Sequence, residues 1–145
     1  MPFSSCSKLT AFDMSTLAKV TTLPENFMLN CTILTSPKLP SNVEEKEASF
    51  LMNCTSLTAI DMSGLVKVTT LPDGFMRGCT SLTTIDMSPL VRVTTLPDEF
   101  MCDCTSLTLV DLPPNVERIR TLFMRGCTSL ASVELLPTNV GFVRL

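Results

Sequence analysis

The chain repeats itself. Residues 54–78 read CTSLTAIDMSGLVKVTTLPDGFMRG and residues 79–103 read CTSLTTIDMSPLVRVTTLPDEFMCD, almost the same sentence twice. Self-similarity at a period of about 20–50 residues marks a solenoid, in which each unit touches only its neighbours. The energetics require stacking. Ordering the backbone costs about 1–2 kcal/mol per residue. An apolar side chain returns about 1.5–3 kcal/mol only when fully buried. One coil has no interior until another coil covers it.

Six cysteines mark the period: Cys6, Cys31, Cys54, Cys79, Cys104 and Cys127, at steps of 25, 23, 25, 25 and 23. They divide the chain into coils 6–30, 31–53, 54–78, 79–103, 104–126 and 127–145, within a single repeat domain spanning 1–145. The second coil is degenerate, with Pro37 where a strand is expected and a charge run at Glu44, Glu45, Lys46 and Glu47. Both ends are incomplete coils. The two residues that separate the long from the short coil are expected opposite the strand, where loops absorb insertions.

Within a coil, Leu82, Ile85 and Met87 are apolar while Thr83, Thr84 and Asp86 are polar. Ile85, Asp86 and Met87 therefore alternate inward, outward, inward, the period of a half-exposed strand. A Ser-Pro or Pro-Pro ends it, since proline cannot donate to a ladder. Val91, Val93, Leu96 and Phe100 supply inward side chains to the return segment, Leu96-Pro97-Asp98 turns the chain, and residues 98–102 suit one helical or 3₁₀ turn. The fold class expected is a β-rich repeat solenoid with one short parallel strand per coil of 23–25 residues and little helix.

Composition narrows the function. The chain has no His, Trp or Tyr, a net charge of −3 and five glycines. Without a basic cluster or stacking aromatics, nucleic acid is disfavoured as a partner. Without His, without a nucleophile beside a base and without a phosphate-cradling loop, no catalytic site is read, and neither a cofactor nor a small-molecule substrate is expected. No uncharged stretch is long enough for a membrane span. The N-terminus lacks the basic start and apolar run of a signal peptide.

The cysteine column is not a framework of disulfide pairs. Ligands one coil apart do not converge on a metal, so the column reads as small buried wedges. The seventh, Cys102, stands where Arg77 and Arg125 stand in other coils and is expected exposed and oxidisable. Asn30-Cys31-Thr32 and Asn53-Cys54-Thr55 match the glycosylation acceptor, but both straddle the buried column and later coils lack the Asn. Lys19, Lys67 and Arg92 are expected to face Glu25, Asp73 and Asp98 as surface charge pairs.

The pattern L-x-x-I-x-L/M, proline, apolar return and F-x-x-(x)-C-x-x-L resembles the BspA-like class of leucine-rich repeats. It is carried by Leu57/Ile60/Met62, Leu82/Ile85/Met87 and Leu107/Val110/Leu112, with Phe75, Phe100 and Phe123 leading to Cys79, Cys104 and Cys127. In place of that family's I-G-x-x-A-F the chain has V-T-T-L-P-x-x-F. The resemblance implies a protein-binding module of adhesin or surface-antigen type, at the cell surface or secreted. The missing leader leaves an intracellular location open. It also implies that a protein ligand sits on the concave strand face. Candidate contacts there are the small outward Thr58, Thr83, Thr84 and Thr108 and the acidic Asp61, Asp86, Asp111 and Glu134.

With Asp13, and broken by Lys38, the acidic residues form a stripe. Like charges so close oppose stability, so the stripe is either a face for a basic partner or cation, or a solvated strand face. Calcium is disfavoured because the glycine-rich loop of calcium-binding rolls is absent. Two further readings remain. One is a structural unit that associates end to end through open terminal coils. The other is an intracellular adaptor piece of a larger repeat protein.

Overall fold

The computed structural model describes residues 8–26, 28–46 and 51–130. Glu134, Cys6 and most of the last coil lie outside them. The described residues wind as stacked coils whose strand pairs are all parallel.

Two ladders run along the stack, where one was expected. The first lies on the strand read from the sequence. β3 (Thr84–Asp86) pairs with β5 (Leu109–Asp111), setting Thr84 against Leu109, Ile85 against Val110 and Asp86 against Asp111, and Asp13 bridges Lys38 in the same position. The second lies on the return segment. β1 (Thr22–Leu23) pairs with β2 (Glu45–Lys46), and β4 (Thr95–Leu96) pairs with β6 (Arg118–Ile119). The charge run of the second coil is thus partly a strand, because it aligns with the Thr-Leu of its neighbour.

These registers relocate the long coil's extra pair. Partners are 25 residues apart in the first ladder (Asp86 with Asp111) and 23 apart in the second (Thr95 with Arg118). The extra residues therefore lie at the corner between the two ladders, directly after the strand rather than opposite it. In the long coil Leu65 and Leu90 fill that corner's interior. In the short coil an asparagine closes it: Asn42 Nδ2 donates to the Ala18 carbonyl at 3.1 Å, and Asn115 Nδ2 to the Val91 carbonyl at 2.8 Å. Val91, expected inward, is 48% exposed because Leu90 takes the inward place.

The core follows the alternation. Ile85 and Met87 are buried and Asp86 is exposed. Phe75, Phe100 and Phe123 stack in a column, with ring centroids 5.4 and 5.6 Å apart and planes inclined by 10° and 8°. All buried residues among those described are apolar.

The segment between each Phe and the next Cys is neither helix nor 3₁₀ turn. Its φ is positive at every second residue: 57° at Glu99, 58° at Met101 and 61° at Asp103. A helix would need all of them negative. Alternating handedness turns successive amides sideways to neighbouring coils instead. The Gly74 amide donates to Asp98 and that of Gly78 to Cys102 one coil on, while Met101 donates back to Phe75. Left-handed φ costs roughly 1–2 kcal/mol in residues with a Cβ, which is why Asn30, Asn53, Gly78, Asp103 and Gly126 recur at one place in it. The two asparagines join there, Asn53 Nδ2 to Asn30 Oδ1 at 3.0 Å. Gly78 then leaves room for Asn53, whose side chain a Cβ would strike.

Candidate functional site

The first ladder presents its outward side chains on one surface. Thr58, Thr83, Thr84, Thr108, Asp61, Asp86 and Asp111 are all exposed there, as the alternation requires. The structure brings the expected residues together, except Glu134, which is outside the described residues. It also assigns several of them local work. Thr58 Oγ1 donates to the Thr35 carbonyl at 3.3 Å and Thr108 Oγ1 to the Thr83 carbonyl at 3.1 Å, so these hydroxyls tie adjacent coils.

The aspartates divide into two groups. Asp13, Asp61 and Asp86 each accept the amide two residues on, from Ser15 at 2.9 Å, Ser63 at 2.9 Å and Ser88 at 2.8 Å. Each closes the turn that follows it. Hydrogen bonds to these serines hold the carboxyls of Asp13, Asp61 and Asp86 below the ordinary carboxylate range. At Asp61 the backbone bond contributes most; at Asp13 and Asp86 the side-chain bond does. So a repeated aspartate here has a structural cause as well as a surface to face. Asp111 differs: Pro113 stands where the serine would, with no N–H to donate. Lys38 interrupts the stripe and lies 3.8 Å from Asp13.

Leu109, next to Thr108, shares this face. Leu109, opposite Thr84 in the ladder, is 58% exposed, the most exposed large apolar side chain among the described residues. Its outward place follows from the period; that nothing covers it does not.

Other columns resolve differently from expectation. Cys102 is buried, at 5% exposure, rather than exposed. Its side chain is too short to follow the arginine it replaces, and burial, with the carboxylate of Asp103 next, pushes its thiol up. The pair Arg77 and Glu99 spans the neighbouring surface, with Asp103 also 3.9 Å from Arg77. In the cysteine column, Sγ of Cys54, Cys79, Cys104 and Cys127 lies 3.1, 3.2, 3.2 and 3.0 Å from the carbonyls of Met28, Leu51, Met76 and Met101. Those four carbonyls belong to left-handed residues. Each thiol therefore packs and also donates. Burial pushes Cys54 up to about 12 and Cys79 higher still.

The basic and acidic columns do not pair with each other as expected. Lys67 meets Glu44 at 3.8 Å and Arg120 meets Asp98 at 3.6 Å. Asp73 and Asp98 serve as turn acceptors between coils: Asp73 Oδ1 receives the Asp98 amide at 3.0 Å, and Asp98 Oδ1 receives the Thr121 amide at 2.8 Å. Among the described residues no group of three or more Cys, Asp or Glu could hold a metal ion, and no helix is long and apolar enough to cross a membrane.

A model of the BspA-type leucine-rich repeat region, in 6 copies, matches residues 1–131. The chain belongs to the BspA-type leucine-rich repeats. Repeats of this family are interaction modules as a class and are typically not catalysts. Among solved structures, the chain is similar to a leucine-rich cell surface protein from Faecalibacterium prausnitzii, at 25% identity and a TM-score of 0.70. That match covers 97% of this chain and 34% of the other, so the chain spans about a third of its relative. It also shares its fold with the leucine-rich repeat protein of T. pallidum, at 21% identity and a TM-score of 0.61, covering 88% of this chain and 68% of that one. No curated protein matches the sequence.

Proposed function

We propose that this BspA-type repeat region is a non-catalytic module that binds a protein ligand on the outward face of its first ladder, and that the whole chain acts as one repeat domain. The observation that carries the reading is Leu109. An apolar side chain 58% exposed, beside Thr84, Thr108, Asp86 and Asp111, combines an anchor with a polar rim. The lowered carboxyls of Asp61 and Asp86 stay ionised at neutral pH, which suits a ligand carrying Lys or Arg around an apolar contact. The likeness to a cell surface protein supports a role in adhesion.

The test uses ligands selected from a displayed random peptide library on the immobilised chain. Binding is then measured by interferometry against Leu109→Asp, Thr84→Arg and Asp86→Lys, each checked for native circular dichroism. The reading expects every selected ligand to weaken at least about tenfold with Leu109→Asp, the loss of one hot-spot contact. Ligands that bind all three folded variants unchanged would place the binding face elsewhere.

A further inference from the structure

The ladders do not run unbroken. The first coil pairs with the second on both ladders, and the fourth with the fifth on both. The third coil, 54–78, has no strand in either place among the described residues. Its amides at Thr58 and Ala59 reach Thr35. Beyond them its backbone-to-backbone hydrogen bonds with neighbouring coils, among the described residues, lie along the Phe-to-Cys segments: Asn53 to Arg77, Gly74 to Asp98, Gly78 to Cys102 and Met101 to Phe75. The Thr55 carbonyl also accepts from the Thr80 and Ser81 hydroxyls.

Prolines account for part of this gap: they remove one donor of the first ladder below the third coil and the second-ladder rung on both of its sides. In a parallel ladder the donors along one edge recur at every second residue. On the first ladder the Met14 amide donates upward to Lys38, so the same edge in the second coil consists of Leu39 and Pro37, and Pro37 has no N–H. On the second ladder Arg120 donates to the Leu96 carbonyl. The positions equivalent to Arg120 in the third and fourth coils are Pro72 and Pro97. A long coil therefore cannot make this rung to the coil beneath it, whereas the short coil above β4, which has Arg120 in place of that proline, does.

Surface pockets lie at the same two junctions. One, of about 140 Å³, is lined by Ser15, Lys38, Leu39 and Ser41 and by Asp61, Ser63 and Gly64, and beside it Gly64 packs directly against the Pro40 carbonyl. A second, of about 310 Å³, opens between residues 69–71 and 73 on one side and Thr94, Thr95 and Pro97 on the other, with Arg120 at its end.

We propose that the third coil is a joint built into the solenoid. The double-laddered pairs of coils on either side tilt about the Phe-to-Cys segments, and the tilt changes the spacing between Asp61 and its neighbours Lys38 and Asp86 on the outward face. This stands whether or not that face binds a protein.

Amide hydrogen exchange, resolved by NMR on the whole chain, tests it without any variant. Met14, Met62 and Met87 all sit in the sequence Asp-Met-Ser, so their intrinsic exchange rates match. Met14 and Met87 donate to Lys38 and Asp111, while Met62 has no such partner in the fourth coil. The joint predicts that Met62, Thr70 and Leu71 exchange faster than Met14, Met87 and Arg118 by about tenfold or more, at denaturant concentrations too low for global unfolding. Equal protection at the three methionines would overturn it. In Pro97→Ala the amide introduced at 97 is expected to become protected and to slow exchange at Leu71. Unchanged exchange at Leu71 in the folded variant would show that the prolines do not make the joint.

Discussion

Cys54, Cys79, Cys104 and Cys127 each close a carbonyl that the left-handed backbone of the preceding coil turns inward. That role separates two substitutions. In Cys79→Ala the Leu51 carbonyl loses its donor while buried, at a cost of about 1–3 kcal/mol. Cys79→Ser keeps a donor and is expected to lose less. Were the thiol only a wedge, serine would be the worse of the two; urea denaturation of both variants decides. The aspartates at the strand ends give a second prediction at this scale. Their pKa values are lower folded than unfolded, so their stabilisation is complete above the unfolded value of about 3.9 and disappears as pH falls through the lowered folded values. Asp86→Ala should therefore make the fall of Tm with pH below about 4 shallower than in the parent chain. An identical acid limb in both would show that the Ser88 contacts do not matter.

The elements are short because each has a specific stop. β3 ends at Asp86, whose carboxylate takes the Ser88 amide, and β5 ends before Leu112-Pro113. Between them the Phe column provides continuity from coil to coil. Phe100 is fully buried with a ring on either side, so Phe100→Ala removes two stacking contacts along with its own burial. The expected loss is about 3–5 kcal/mol, measured by chemical denaturation. A loss under about 1 kcal/mol would mean that the neighbouring rings close the gap, which a stack held at both ends resists.

Across the whole molecule, stability in a solenoid is a sum of nearest-neighbour terms. This one alternates strong junctions, with two ladders, and weaker ones around the third coil. The effects of Phe100→Ala should therefore concentrate in coils 54–126, leaving the protection of Met14 and Lys38 close to that of the parent chain. Spread of the loss to those amides would mean that the coils melt as one unit. The same arrangement bears on binding. Under the proposed binding reading, a face whose halves tilt adapts to a ligand, and the ligand in turn stabilises one tilt.

The sequence by itself determined the solenoid, its period, the inward and outward residues of the strand, and the membership of the outward face, because each follows from a repeat of 23 or 25 residues and a period of two. Only the tertiary structure decided what depends on the neighbouring coil. The second ladder, the left-handed Phe-to-Cys segments and the thiol donors exist because one coil presents amides and carbonyls to the next, which no single copy of the repeat reveals. Cys102 is buried for the same reason: what covers a side chain in a stack belongs to the coil above or below it.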